Sequence, residues 1–472
     1  MNYMTPEEII AWPPFPIVDD GLDPIQRARV RVGTAGQWDA KQNMGRRWAI
    51  GCVALEITQR CNLDCTLCYL SESSEALKDI PIEEVFRRID LIHAHYGDGT
   101  DIQVTGGDPT LRQHDELVQI VRYIREKHMR CSLFTNGILA TRELLTELSE
   151  NGLTDVAFHV DMTQERKGYE TEESLNSIRL EYINRARGLP LNVFFNTTVF
   201  DQNFHDIALL TRFFISHADV VKLSSFQLQA DTGRGVERER GFAITQESVH
   251  AQINLAVGKE LAFHAGTAGH HECNGHAIGF VCNGQVHDLL DDQGLIEELL
   301  EKTDHILLNR RNPKKTLMQV GLFMLTQPRL LVRALRHFGK KFWAIRRDLM
   351  ATGGKVHKVA FFTHNFQDAQ HLEHDRCESC SFMVMTPEGP MSMCVHNAKR
   401  DSYLLVSAKV VRDSNVLYFN PATGEMMEQE PESIEVKLTR KNARGRSKEE
   451  VNKNRPLRHE PRVLEVTTDV AS

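Results

Sequence analysis

Six apolar runs of strand length recur along the first half of the chain, each followed by a helix-period stretch, and this alternation constrains the fold most. The runs are CVALEIT (52–58), DIQVTG (101–106), CSLFTN (131–136), DVAFHVD (155–161), LNVFFNTTVF (191–200) and VVKLSSFQLQ (220–229). Between them, PIEEVFRRIDLIHAHYG puts Ile82, Val85, Phe86, Ile89 and Ile92 on one helical face, and DELVQIVRYIREKH and ATRELLTELSENG follow the same spacing. Such alternation, with strands buried on both faces, calls for parallel pairing and right-handed crossovers. The reading is α/β, with a partial (β/α)6 TIM-like barrel whose functional groups collect at the C-terminal ends of the strands.

The 472 residues leave room for two or three domains. Residues 1–50 read as an N-terminal extension, 51–265 as the barrel, 266–430 as a C-terminal α+β domain and 431–472 as a charged, mobile tail. Within the C-terminal domain, AIGFVC-NG-QVHDLL reads as a hairpin turning at Asn283 and Gly284. A helical segment over 305–350 follows. Between His305 and Arg347 it has eleven Lys and Arg and no Asp or Glu. Leu331, Leu335, Phe338 and Phe342 form an apolar stripe there, beside a cationic stripe of Arg329, Arg333, Arg336 and Lys340. Such a segment either meets lipid or packs on the barrel with its basic face solvated.

RCNLDCTLCYL (60–70) crowds Cys61, Cys65 and Cys68 just past the first strand. Three thiolates can hold three corners of a cubane iron–sulfur cluster and leave the fourth iron without a protein ligand, free to chelate a small molecule and pass it an electron. The rival is structural zinc, but zinc recruits four side chains and no fourth Cys or His lies nearby in sequence. The N-terminal stretch lacks a basic region followed by a long apolar run, and no run approaches the ~20 apolar residues of a membrane span. The expectation is a cytoplasmic protein with reduced thiols, its ten cysteines being ligands, catalytic groups or core. A net charge of −8 argues against bulk nucleic-acid binding.

CNLDCTLCY resembles the signature loop of the radical SAM superfamily. The resemblance implies that Cys61, Cys65 and Cys68 ligate a 4Fe–4S cluster, that the vacant iron binds S-adenosylmethionine, and that Leu67 and Tyr69 bracket its adenine. One electron then cleaves S-adenosylmethionine to methionine and a 5′-deoxyadenosyl radical. The end of the second strand, VTGGDPT, resembles the superfamily's Gly-Gly-Glu-Pro element, which contacts the methionine amino group. Gly106, Gly107, Asp108 and Pro109 occupy it here, with Asp where the family has Glu. The glycines would let backbone approach the ligand, and Asp108 would offer a carboxylate to the amine. Later strand ends carry Asn136, His159 with Asp161, Asn196 with Thr198, and Gln227 with Gln229. Cofactor or substrate contacts and a buried hydrogen-bond network are both open readings for these.

Cys52 and Cys131 sit within apolar strands and read as core. Of the remaining five, Cys377, Cys380 and Cys394 with Cys273 complete a four-thiolate site, for an auxiliary 4Fe–4S cluster or for zinc, and Cys282 is left out. HHEC, FQLQADTGRG, FFTHNFQDA and GPMSMCVHNAKRD together resemble the radical SAM branch of tetraether-lipid synthases and pterin methylases. That branch often has further cysteines ahead of the barrel; none precedes Cys52 here. The resemblance implies hydrogen abstraction from a lipid alkyl chain, leading to carbon–carbon bond formation or one-carbon transfer, with flavodoxin or ferredoxin as electron donor. Membrane contact would be peripheral, at the inner face. The alternatives are radical modification of a peptide or a pterin-like small molecule, and a non-catalytic metal-binding scaffold.

Overall fold

The computed structural model describes residues 2–16, 21–22, 24–37, 51–235, 240–306, 313–412 and 414–436. Parts of the expected N-terminal extension, residues 307–312 of the basic segment and the expected tail beyond 436 lie outside the described residues.

The six expected strands form as β1 (Cys52–Thr58), β2 (Asp101–Gly106), β3 (Arg130–Thr135), β4 (Leu153–His159), β5 (Asn192–Val199) and β6 (Val221–Leu228). They pair in sequence order and in parallel. A helix follows each one: Ile82–Tyr96, His114–Glu126, Arg142–Asn151, Asn176–Ala186, Ile207–Ser216 and Gln246–Val257. The first buries Val85, Ile89 and Ile92 against the sheet, as its periodicity requires. Thr141 caps the third through the Leu144 amide, and Gly152 ends it at φ +124°, so β4 begins at once.

The expected hairpin also forms. β7 (Asn274–Cys282) and β8 (Gln285–Asp288) pair antiparallel with Cys282 opposite Gln285, and the turn has positive φ at both Asn283 and Gly284. What the periodicity does not disclose is that two more strands complete the barrel sheet from beyond residue 265. β9 (His357–Asn365) pairs in parallel with β6, and β10 (Phe382–Met385) pairs in parallel with β1. The parallel run is therefore eight strands, not six. β7 and β8 extend it past β9, and β11 (Pro390–Ser392) extends it past β10. Its two ends approach through side chains: the His364 ring lies 4.4 Å from that of Phe382, and Phe362 5.8 Å from it. Among the described residues no ladder joins β9 to β10, so this seam is filled by rings.

One apolar core, spanning Val53 to Met385, fills the barrel and the layer beneath its helices. A smaller cluster of Leu295, Met324, Leu330 and Ala334 lies apart from it. The basic segment forms two helices, Pro313–Leu325 and Pro328–Ala351, and these four residues hold them to the helix Gln293–Lys302.

Candidate cofactor site

Parallel pairing brings the C-terminal ends of β1–β6 to one mouth, and the three-cysteine loop lies across it. Cys61, Cys65 and Cys68 are half-buried. Burial raises the Cys61 thiol to about 11, with Asp108 and Cys68 adding to the rise. Cys65 is raised by burial and then by Cys68, Asp161 and Cys61. Cys61 and Cys65, each reluctant to ionise alone, suit a cationic centre that would hold them as thiolates beside Cys68. Among the described residues no group of three or more His, Cys, Asp or Glu is arranged to hold a single metal ion.

The loop is fastened from several sides. Thr66 donates its amide to the Thr163 carbonyl (2.8 Å), beyond β4. The segment after β6, Thr232-Gly233-Arg234-Gly235, packs on the loop backbone, and Gly235 donates to the Cys68 carbonyl (3.0 Å). A Cβ at Gly235 would stand 2.7 Å from the Cys68 nitrogen, and one at Gly233 2.3 Å from the Tyr69 carbonyl carbon. Between them Arg234 pairs with Glu75 (2.7 Å) and sets its positive charge near Cys68.

Gly106 and Gly107 do permit a close approach, but to the protein itself. A Cβ at Gly106 would stand 1.9 Å from the Thr58 oxygen and one at Gly107 2.0 Å from the Arg60 oxygen. The Gly107 and Asp108 amides donate to those two carbonyls, locking the second strand's turn to the approach of Cys61. Asp108 is turned inward. It is 1% exposed, and its carboxylate accepts from the Thr110 amide and hydroxyl, the Thr135 hydroxyl and the Asn136 amide. Those bonds make the carboxylate a positioner of Asn136. Pro109 is buried and opens the single 3₁₀ turn that follows. The Tyr69 hydroxyl donates to the Gly106 carbonyl, and its ring lies beneath the Arg400 guanidinium (4.7 Å). Leu67 stays half-buried in the loop.

Asn136 reaches the loop directly, its side-chain amide donating to Asn62 (2.6 Å) and lying 3.9 Å from the Cys61 sulfur. Nearby, His159 pairs with Asp161 (2.6 Å) and contacts the Thr198 hydroxyl (3.3 Å). Burial would raise Asp161, but His159 and hydrogen bonds from His159, Thr163 and Thr198 hold it at about 2. His159 feels burial downward and Asp161 upward, with a net rise. Asn196 is buried on β5, opposite His159. Gln227 lies in register between Thr198 and His364, and the Gln229 amide donates to Asp231 (3.3 Å).

The second cysteine set gathers at the seam. Cys273 precedes β7, and its carbonyl accepts from Asn365 at the end of β9. Cys380 precedes β10, Cys377 lies in the helix His374–Glu378, and Cys394 lies in the helix Met393–Ala398. All four are buried, and Cys377 is raised by burial and then by Cys394, Cys380 and Cys273 in turn. Cys273, Cys380 and Cys394 line one small pocket with His270, His364 and Arg376. Arg376 donates to the Cys273 sulfur (3.5 Å) and Gln367 to the Cys377 sulfur (3.5 Å). This donor set fits a buried metal–thiolate centre. Cys282 ends the strand that Cys273 precedes, on the order of 30 Å away at strand rise, with its sulfur 3.7 Å from Thr352 Oγ1. Cys52 and Cys131 are buried in β1 and β3.

Three arginines of this architecture escape a sequence reading. Arg166 donates to the Asn136 carbonyl (2.7 Å), and Arg400 joins Tyr69 to buried Glu56. Burial would raise Glu56, but Arg400 and His396 draw it to about 2. Only Arg234 carries a sequence signal, the glycines on either side of it.

Residues 55–214 match the model of the Radical SAM superfamily. The chain is similar to the 7,8-dihydro-6-hydroxymethylpterin dimethyltransferase of Methanocaldococcus jannaschii, 23% identical over 73% of this chain and 76% of that one. It is similar also to the Fe-coproporphyrin III synthase of Methanosarcina barkeri, 32% identical over 33% of this chain and 38% of the relative. With the PqqA peptide cyclase of Bradyrhizobium diazoefficiens it shares 29% identity over 33% of this chain and 40% of that one. The chain thus spans about three quarters of the first relative and about two fifths of the other two. Residues 55–214, with the three-cysteine loop at their head, are a radical SAM domain.

Proposed function

We propose that this protein uses a 4Fe–4S cluster and S-adenosylmethionine to abstract hydrogen from a lipid alkyl chain, leading to carbon–carbon bond formation or one-carbon transfer. The observation that carries the chemistry is the half-buried tripod of Cys61, Cys65 and Cys68 at the barrel mouth. When bound, the cluster supplies the electron that cleaves S-adenosylmethionine to methionine and a 5′-deoxyadenosyl radical. In this reading the three thiols hold the cluster, Arg234 offsets their charge, and Asn136 donates toward the Cys61 sulfur. The backbone at Leu67 and Tyr69 flanks the adenine, and Gly106 to Pro109 hold the loop in place. His159, Asp161 and Asn196 meet the ribose or the substrate, and the pair of half-exposed His159 with buried Asp161 keeps that face polar and fixed. Residues 51–265 with β9 and β10 form the reaction chamber. Within 266–430, Cys273, Cys377, Cys380 and Cys394 hold an auxiliary 4Fe–4S cluster. A flavodoxin or ferredoxin donates the electron.

The lipid assignment is supported by the apolar, cationic helices of residues 313–351 and by the resemblance to tetraether-lipid synthases. A second reading, methylation of a pterin-like small molecule, is favoured by similarity to the pterin dimethyltransferase over 73% of the chain. The test is an anaerobic assay of reconstituted enzyme with detergent-dispersed phospholipid and, separately, with a reduced pterin. Lipid-dependent 5′-deoxyadenosine supports the first reading. Yield that rises with pterin and is unmoved by lipid replaces it with the second.

A further inference from the structure

An amphipathic helix in a globular protein turns its apolar stripe to the core, but the two helices of the basic segment turn theirs outward. On Pro328–Ala351, Val332, Leu335, Phe342, Trp343 and Met350 are each 64–73% exposed. At 100° per residue these five fall within one arc of about 100°. On Pro313–Leu325, Leu317, Met318, Leu322 and Leu325 share a face and are 59–71% exposed. With Phe338 they make ten of the 22 exposed large apolar side chains among the described residues, concentrated in 34 positions. The buried side of the pair is minor: Met324, Leu330 and Ala334 on Leu295.

Charge borders this apolar face on one side. Arg329, Arg336, Lys340 and Arg347 fall 40–80° from Val332 about the helix axis, and with Lys314 they have no acidic partner among the described residues. The acid-facing cations, Arg333 with Asp292 and Glu298 and Lys341 with Asp291, lie toward the helix's attached side. Trp343 stands in the apolar arc beneath the Arg346 guanidinium (4.0 Å), an amphipathic pair suited to the depth of lipid headgroups. No helix among the described residues is long and apolar enough to cross a membrane.

We infer that the helices Pro313–Leu325 and Pro328–Ala351 form a membrane-surface anchor. They lie in the plane of an anionic bilayer, with Leu335, Phe342 and Trp343 among the acyl chains and Arg329, Arg336, Lys340 and Arg347 on the headgroup phosphates. Charge complementarity selects this occupant: an apolar face bordered by unpaired cations, on a pair of helices without one acidic residue from Pro313 to Arg347, matches an anionic lipid surface. The inference deepens the lipid reading and is tested without catalysis.

The experiment is co-sedimentation of the full, cluster-reconstituted chain with phosphatidylglycerol-containing vesicles and with pure phosphatidylcholine vesicles, at low and high salt. Wild type sediments with the anionic vesicles, releases with salt, and shows a blue-shifted tryptophan emission that Trp343→Phe abolishes. Arg336→Glu with Lys340→Glu, and separately Leu335→Ser with Phe342→Ser, each weaken binding at least about tenfold, since one basic residue near the surface is worth roughly fivefold. These side chains are exposed, and unchanged iron content and circular dichroism report intact folding. Wild type that ignores anionic vesicles, or binds zwitterionic ones equally, overturns the inference. So does concentration-dependent dimerisation abolished by the same substitutions, which would give the face to a second copy. Vesicle binding without lipid-dependent 5′-deoxyadenosine sinks the lipid-substrate reading alone, and lipid-dependent turnover without vesicle binding sinks the anchor alone.

Discussion

The two cysteine sets are built in opposite ways. Cys61, Cys65 and Cys68 come from one loop of eight residues, half-buried at the barrel mouth. Cys273, Cys377, Cys380 and Cys394 come from four places in the chain and are all buried at the seam between β9 and β10. In the first set the Cys61 sulfur has a side-chain amide at 3.9 Å and Cys68 the Arg234 guanidinium near it, whereas the second receives a guanidinium and an amide at 3.5 Å. In the proposed reading, three half-buried local ligands leave a coordination corner for something else, and four buried ones leave none. On that reading, chemistry on a small molecule falls to the local site and constancy to the assembled one. Arg400 joins the two, following the helix that carries Cys394 and lying over Tyr69, which follows Cys68.

The sharpest way to break this comparison is Cys61→Ala. It abolishes 5′-deoxyadenosine formation, a loss of at least about a thousandfold, while iron at the seam remains. Product chromatography and iron quantification on anaerobic protein check both halves. Next, Cys377→Ala with Cys380→Ala removes about four irons and leaves about four. Loss of zinc with iron unchanged would instead make the seam a zinc site. Third, Gly235→Ala presses a methyl on the Cys68 backbone and costs about 3 kcal/mol by overpacking. Denaturation and S-adenosylmethionine affinity fall together, because the displaced atom belongs to the loop.

The last effect, small at any one pH step, is one of acid stability. His250, stacked on Phe263 and bonded to Thr363 (2.8 Å), is lowered by burial and then by His264 to about 3. Its folded form therefore refuses a proton that the unfolded chain accepts near 6.5. Stability is full above that value and falls by about 1.4 kcal/mol per pH unit as pH drops from 6.5 toward 3. His250→Gln flattens this acid limb by about one proton in pH-dependent chemical denaturation. An unchanged slope would mean that the histidine is protonated in the folded state.

Much of this was legible in the residues themselves. The six strands begin and end within about two residues of their apolar runs, and the Asn-Gly hairpin turns where expected, because period and turn chemistry are local. The Cys61 loop was legible because its three cysteines fall within eight residues. β9 and β10 were not legible as barrel strands, since nothing in FFTHN or FMVM says which edge it joins. Asp108 and Tyr69 were read as ligand-facing, and only the structure reveals the partners across the mouth that tie both to the loop. The outward turn of Leu335 and Phe342 was equally unreadable, because periodicity fixes a stripe but not what it faces.

By itself, the sequence determined the repeating strand–helix unit, the three-thiol loop at its first C-terminal end, and the pairing of apolar and cationic stripes after residue 313. Only the tertiary structure decided that the sheet takes eight parallel strands, that four distant cysteines meet at its seam, and which side of the late helices is left uncovered. The reason is physical. Backbone period and turn geometry are settled by neighbours along the chain, whereas the partner of a strand edge, a thiol or an apolar face is settled by whatever the rest of the fold places against it.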